Sequence, residues 1–138
     1  DLLSSYDLHA SSGYMVHFAI ADKEGNSVVV EYINNEMFVT KTPVVTNFYL
    51  SEGEKNGIGT QQSHERYDIL MERLNKSGTM DMDALCNAMD SVSKDNFGEF
   101  ESTEWSIVIN QSTGEVRYYH RENYNTAYTF TVTGGRES

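Results

Sequence analysis

Apolar positions along the chain follow two rhythms. From Tyr14 the run YMVHFAIAD is apolar or alternating as far as Asp22, KEGN supplies turn residues, and SVVVEYI resumes the apolar run. Two β-rich runs joined by Asp22–Asn26 predict a hairpin whose loop exceeds the tightest two-residue type. A second turn at Asn34 and Asn35 leads into EMFVTKT and extends the hairpin to a three-strand meander. PVVTN at 43–47 reads as a fourth strand, with Pro43 at its first residue, where a missing N–H is tolerated.

Beyond the polar, glycine-rich passage SEGEKNGIGTQQ the period changes. In SHERYDILMERLNKSG, Tyr67, Leu70, Met71 and Leu74 fall at i, i+3, i+4 and i+7, one face of a helix. Ser63 is the expected N-cap, Glu65 and Arg66 belong to the first turn, and Lys76 and Gly78 mark the end. A second helix is predicted from about Asp81 to Val92 on the spacing of Met82, Leu85, Met89 and Val92, with Cys86 beside Leu85. The short connection between them predicts an antiparallel pair. Residues 1–13 read as a helix end and a loop, and 93–102 as a loop. TEWSIVIN, VRYYHRE and AYTFTVT, separated by QSTGE and NYNT, then give three further strands before a frayed GGRES tail. Strands and helices are segregated, so the expected class is α+β with antiparallel sheets, in one domain over 1–138.

Composition narrows what such a fold would meet. A chain of 138 residues can bury one core and is short for two. Its net charge of −11, from 21 acidic and 10 basic residues, argues against nucleic acid and anionic membrane as partners. No apolar stretch approaches the roughly 20 residues that span a bilayer. One cysteine, Cys86, excludes an intrachain disulfide and fits a reducing compartment, so a cytoplasmic location is expected. The sequence begins at Asp1 with no initiator Met, the expectation for a processed product or a piece of a larger protein.

Few residues carry a chemical signal. Cys86 lies on the apolar stripe of the second helix with no basic residue within a turn, the setting of a core cysteine and not of a nucleophile. His9, His17, His64 and His120 show no metal-ligand spacing, so neither a metal nor a cofactor is expected. His17 reads as a sheet histidine; His64 opens the first helix beside the polar loop. NGIG at 56–59 lacks the Lys-Ser/Thr of a phosphate loop. Arg66 is a cation in a first helical turn, disfavoured there by a few tenths to ~1 kcal/mol. Asn47 ends a strand. Between them runs a loop of roughly 15 residues without secondary structure, a length that is usually functional or disordered.

The order of D-x-x-G-x-S-V-V-V-E-Y at 22–32, V-x-T-N at 44–47, S-x-x-R-Y at 63–67 and T-x-W-S with its hairpin resembles the C-terminal half of the linear amide C–N hydrolases. That group includes choloylglycine hydrolases, penicillin V acylases and relatives of acyl-CoA:6-aminopenicillanate acyltransferase. Phe48 and Tyr49 after T-N depart from the T-N-x-P of bile salt hydrolases and lean towards the acyltransferase-like branch.

The resemblance implies half of an αββα N-terminal-nucleophile sandwich and a small-molecule acyl amide as substrate. It implies Asn47 as an oxyanion donor, Arg66 near a cysteine nucleophile, and Phe48, Tyr49 and His64 at the substrate. Asp22 and Glu31 match the pattern as hairpin and strand residues. The nucleophile has no counterpart here, so the chain alone is expected to be inactive and to need the missing N-terminal half. Exposed apolar faces or homo-oligomerisation are expected in its absence. A non-catalytic α+β binding module on the same scaffold is the alternative.

Overall fold

The computed structural model describes residues 2–6, 16–94 and 102–132. After a 3₁₀ turn at Leu3–Ser5 come β1 (His17–Ala21), β2 (Ser27–Ile33), β3 (Glu36–Lys41), α1 (Gln61–Ser77) and α2 (Met82–Asp90). Three strands follow: β4 (Trp105–Asn110), β5 (Glu115–His120) and β6 (Tyr128–Thr131). Each sheet is an antiparallel meander, β1-β2-β3 and β4-β5-β6, so the class is α+β. Contacts divide the chain into two compact units, Asp1–Met71 and Glu72–Ser138, with the boundary inside α1. The expected strand start at Tyr14, most of the 1–13 segment, the loop at 95–101 and the GGRES tail lie outside the described residues.

In the first unit the turns form where the sequence places them. Asp22 Oδ1 accepts from the Glu24 and Asn26 amides at 2.9 and 3.0 Å, and Oδ2 from Asn26 Nδ2 at 2.8 Å. Asn34 and Asn35 take φ of 53° and 66°, the left-handed pair of a two-residue hairpin turn. On β2, Val29, Glu31 and Ile33 share one face and are all buried.

The expected fourth strand at 43–47 does not form; only an isolated bridge, Phe48 to Gly59, is made. Side chains engage the backbone at its start. Thr42 Oγ1 donates to the Val44 carbonyl at 2.9 Å and accepts from the Val44 amide at 3.3 Å, Ser27 Oγ donates to the Thr42 carbonyl at 2.8 Å, and Pro43 has no N–H to offer.

In the second unit, α2 begins on Asp81, whose carboxylate accepts from the Ala84 amide at 2.8 Å. Cys86 packs with Val108 and Tyr119, flanked by Met82, Leu85 and Tyr124, so it is a core residue. Burial pushes the phenols of Tyr119 and Tyr124 up. Arg117 on β5 donates to Glu115 at 2.8 Å and to Asp83 of α2 at 2.5 Å, and both bonds raise its own pKa.

Both sheets keep one apolar face open. Phe18, Ile20 and Val39 are exposed on the first, and Trp105, Ile107, Ile109, Tyr128 and Phe130 on the second.

Candidate functional site

The segment that fails as a strand is organised by other means. After Asn47 the chain turns back on itself: the Tyr49 amide donates to the Ile58 carbonyl at 3.1 Å, and the Gly57 amide to the Tyr49 carbonyl at 2.8 Å. Phe48 meets Gly59 so closely that a Cβ there would stand 2.3 Å from Phe48 Cβ and 2.5 Å from the Asn47 carbonyl. Only glycine permits this approach. What the sequence suggests is a loop without structure is therefore a closed, hydrogen-bonded turn.

Helix α1 begins two residues before the expected Ser63 cap. Thr60 lies just before its first residue, Gln61, and Thr60 Oγ1 accepts from the Ser63 amide at 3.2 Å while Ser63 itself is fully buried. Arg66 consequently falls in the second turn and not the first, which removes the dipole penalty expected for it. The shift also sets its direction: Arg66 Nη2 donates to Asn47 Oδ1 at 2.9 Å and Nε to the Gln62 carbonyl at 3.3 Å. Ser63 Oγ receives a longer Nη2 bond at 3.4 Å.

That contact fixes the orientation of Asn47. A guanidinium has donors only, so the amide atom facing it must be oxygen. The Asn47 Nδ2 is thereby the uncommitted end of an exposed side chain, and among the described residues it meets no acceptor.

The remaining sequence-selected residues lie on the turn after Asn47 and on the first turn of α1. Phe48 is buried and stacked on His64 with centroids 4.0 Å apart, and Tyr67 meets its edge at 5.2 Å. His64 Nε2 donates to the Gly57 carbonyl at 2.9 Å, so its ring closes the turn from the helix side. Tyr49 is half-buried, with the edge of His17 at 6.1 Å and Lys55 Nζ 5.4 Å above its ring.

One residue of consequence is given no role beyond the strand by sequence reasoning. Glu31 has zero exposure, yet its carboxylate accepts from the Leu50 amide at 3.1 and 3.2 Å and from the Ser51 amide at 2.7 Å. Ser51 Oγ also donates to it, and His17 Nδ1 does so at 2.6 Å. Burial raises the Glu31 pKa, but the hydrogen bonds from Ser51, Leu50 and His17 outweigh it and hold the carboxyl below its ordinary value. Its sequence signal is the interruption of V-V-V by a charge on the buried face of β2. Ser51 is itself buried, and its hydroxyl serves as one of the donors to this carboxylate.

Among the described residues, no group of three or more His, Cys, Asp or Glu could hold a metal ion, and no helix is long and apolar enough to cross a membrane. The chain matches no family model, and neither curated proteins nor solved structures show a significant match to it.

Proposed function

We propose that this chain supplies the oxyanion-binding part of a cysteine-nucleophile amidohydrolase or acyltransferase acting on linear, non-peptide amide C–N bonds. The observation that carries the reading is the 2.9 Å bond from Arg66 to Asn47 Oδ1, which leaves the N–H end of the amide uncommitted. A preformed, exposed amide donor with its acceptor end neutralised suits an oxygen that gains negative charge when an acyl carbon becomes tetrahedral. One such donor is worth about 10²–10³ in rate.

In this reading a thiolate from a segment outside residues 1–138 attacks the acyl carbon. The carbonyl electrons move to oxygen, and Asn47 Nδ2 holds that oxygen until the amine leaves with a proton from the nucleophile's own α-amino group. Tyr49, two residues after Asn47, would line the approach, and the Phe48–His64 stack holds the turn that follows Asn47. Cys86 takes no part, because it is buried in the core of the second unit.

The natural gene product should therefore cleave or transfer simple N-acyl amides, with Asn47→Ala lowering kcat about 10²–10³-fold and the fold intact by circular dichroism. The isolated 138-residue chain should be inactive. Turnover by the isolated chain, or an Asn47→Ala variant as active as the native product, would refute the proposal. A natural product that binds acyl amides without turning them over would favour the binding-module alternative.

A further inference from the structure

We infer that Glu31 is the positioning residue of the Asn47 site, its buried carboxylate fixing the backbone from which the amide is presented. The inference rests on the oxyanion reading of Asn47. Glu31 faces the interior between Val29 and Ile33, where an apolar side chain would cost nothing to bury. An ionised carboxylate there is tolerated only if donors replace the lost water.

Those donors are drawn almost wholly from the far end of the Asn47 segment. Leu50 and Ser51 give both their amides, Ser51 adds its hydroxyl, and His17 closes the set from β1. The carbonyls of the same two residues are taken by Asn56 Nδ2, each at 3.1 Å. Leu50 and Ser51 thus have every backbone polar group committed, leaving them one position relative to β2.

The near end is held by different contacts: Arg66 on Asn47 Oδ1, and Phe48 against Gly59. Only Phe48 and Tyr49 lie between the two anchors. A displacement at Leu50 is therefore transmitted to the Asn47 amide with little slack to absorb it. Oxyanion donors act only within hydrogen-bond distance of where charge develops, so Glu31 governs the rate of the chemical step and not substrate affinity.

The test uses Glu31→Gln, which keeps the side-chain shape and turns an NH₂ towards donors. On this chain, amide hydrogen exchange is expected to quicken about tenfold or more at Leu50 and Ser51. The Asn47 side-chain amide resonances should shift, and the β4 and β5 amides should keep their rates. In the natural gene product, kcat on an N-acyl amide should fall about tenfold with KM changed less than about twofold, and Glu31→Asp should recover part of the loss.

If Glu31→Gln does not fold, Ser51→Ala decides the matter. It removes one bond to the carboxylate and should give the same pattern at about threefold amplitude. Unchanged exchange at Leu50 and Ser51, or a KM rise with kcat intact, would overturn the inference. Loss of activity in Asn47→Ala with native kcat in Glu31→Gln removes the positioning role alone. Full activity in Asn47→Ala removes the oxyanion reading and the positioning role with it.

Discussion

Two side chains with opposite needs define the site at the scale of single residues. Arg66 must find acceptors and Glu31 must find donors, and the Asn47–Ser51 segment satisfies both, one at each end. Replacing Arg66 by Leu frees the Asn47 amide to rotate, so under the proposed oxyanion role activity of the natural product should fall about tenfold. Stability should move less than about 0.5 kcal/mol, because the side chain sits at the surface; a urea midpoint measured beside the assay separates the two. Glu31 should move stability as well as activity. Its folded pKa lies below the ordinary value of 4.5, so its contribution to stability is complete above that value and disappears as pH falls through the lower folded one. The urea midpoint should drop on acidification below about pH 4.5, and the part of that drop due to Glu31 should be missing in Glu31→Gln. At neutral pH the variant should be less stable by about 1–3 kcal/mol, the cost of leaving buried amides unpaired.

At the scale of elements, the close approach of Gly59 to Phe48 joins the turn to the helix that carries Arg66. Gly59→Ala would drive its new methyl into Phe48 Cβ at 2.3 Å, so the turn must open. A loss of about 1–3 kcal/mol is expected, with the Asn47 side-chain amide resonances shifted. Asp81→Ala, at the far end of the helical region, should cost about 1 kcal/mol by thermal melting and leave those resonances unmoved. The elements built on local chemistry are the ones legible in the sequence. Alternation placed β2, β3, β4 and β5, Asn34-Asn35 gave the hairpin turn, and the 3.6 period with Asp81 and Gly78 bounded the helices. What sequence could not reveal depends on partners distant in the chain. PVVTN has strand propensity, but the Thr42 side chain takes both backbone groups of Val44, Ser27 holds the preceding Thr42 carbonyl, and no local pattern announces that. The sequence points to Ser63 as the start of α1 because a serine before an apolar stripe is the stronger local signal, whereas Thr60 supplies the accepting hydroxyl. Asn47 and Arg66 are singled out only through the family resemblance, and their mutual bond appears only in three dimensions. Glu31 was visible as a charge in an apolar run; its donors, some 20 residues ahead, were not.

At the scale of the whole molecule, surface chemistry and charge pull in opposite directions. Phe18, Ile20 and Val39 form an open apolar face on one sheet, and Trp105, Ile107, Ile109, Tyr128 and Phe130 form a larger one on the other. Contiguous apolar surface of this kind favours association in water. The net charge of −11 opposes it at neutral pH by mutual repulsion between copies. The balance should tip as acid removes that charge. Near the sequence pI of about 4.6 the repulsion vanishes, and salt screens it at any pH. Sedimentation velocity should therefore show a weight-average mass that rises as pH is lowered from about 7 towards 5, and rises again with added salt at pH 7. Ile107→Lys with Phe130→Glu interrupts the larger face on its two outer strands, β4 and β6, while leaving net charge unchanged. If the apolar faces drive association, this double variant should stay closer to monomer mass throughout the titration. A mass that climbs as steeply in the variant as in the parent would show that charge loss alone is responsible and that these faces are not the contact.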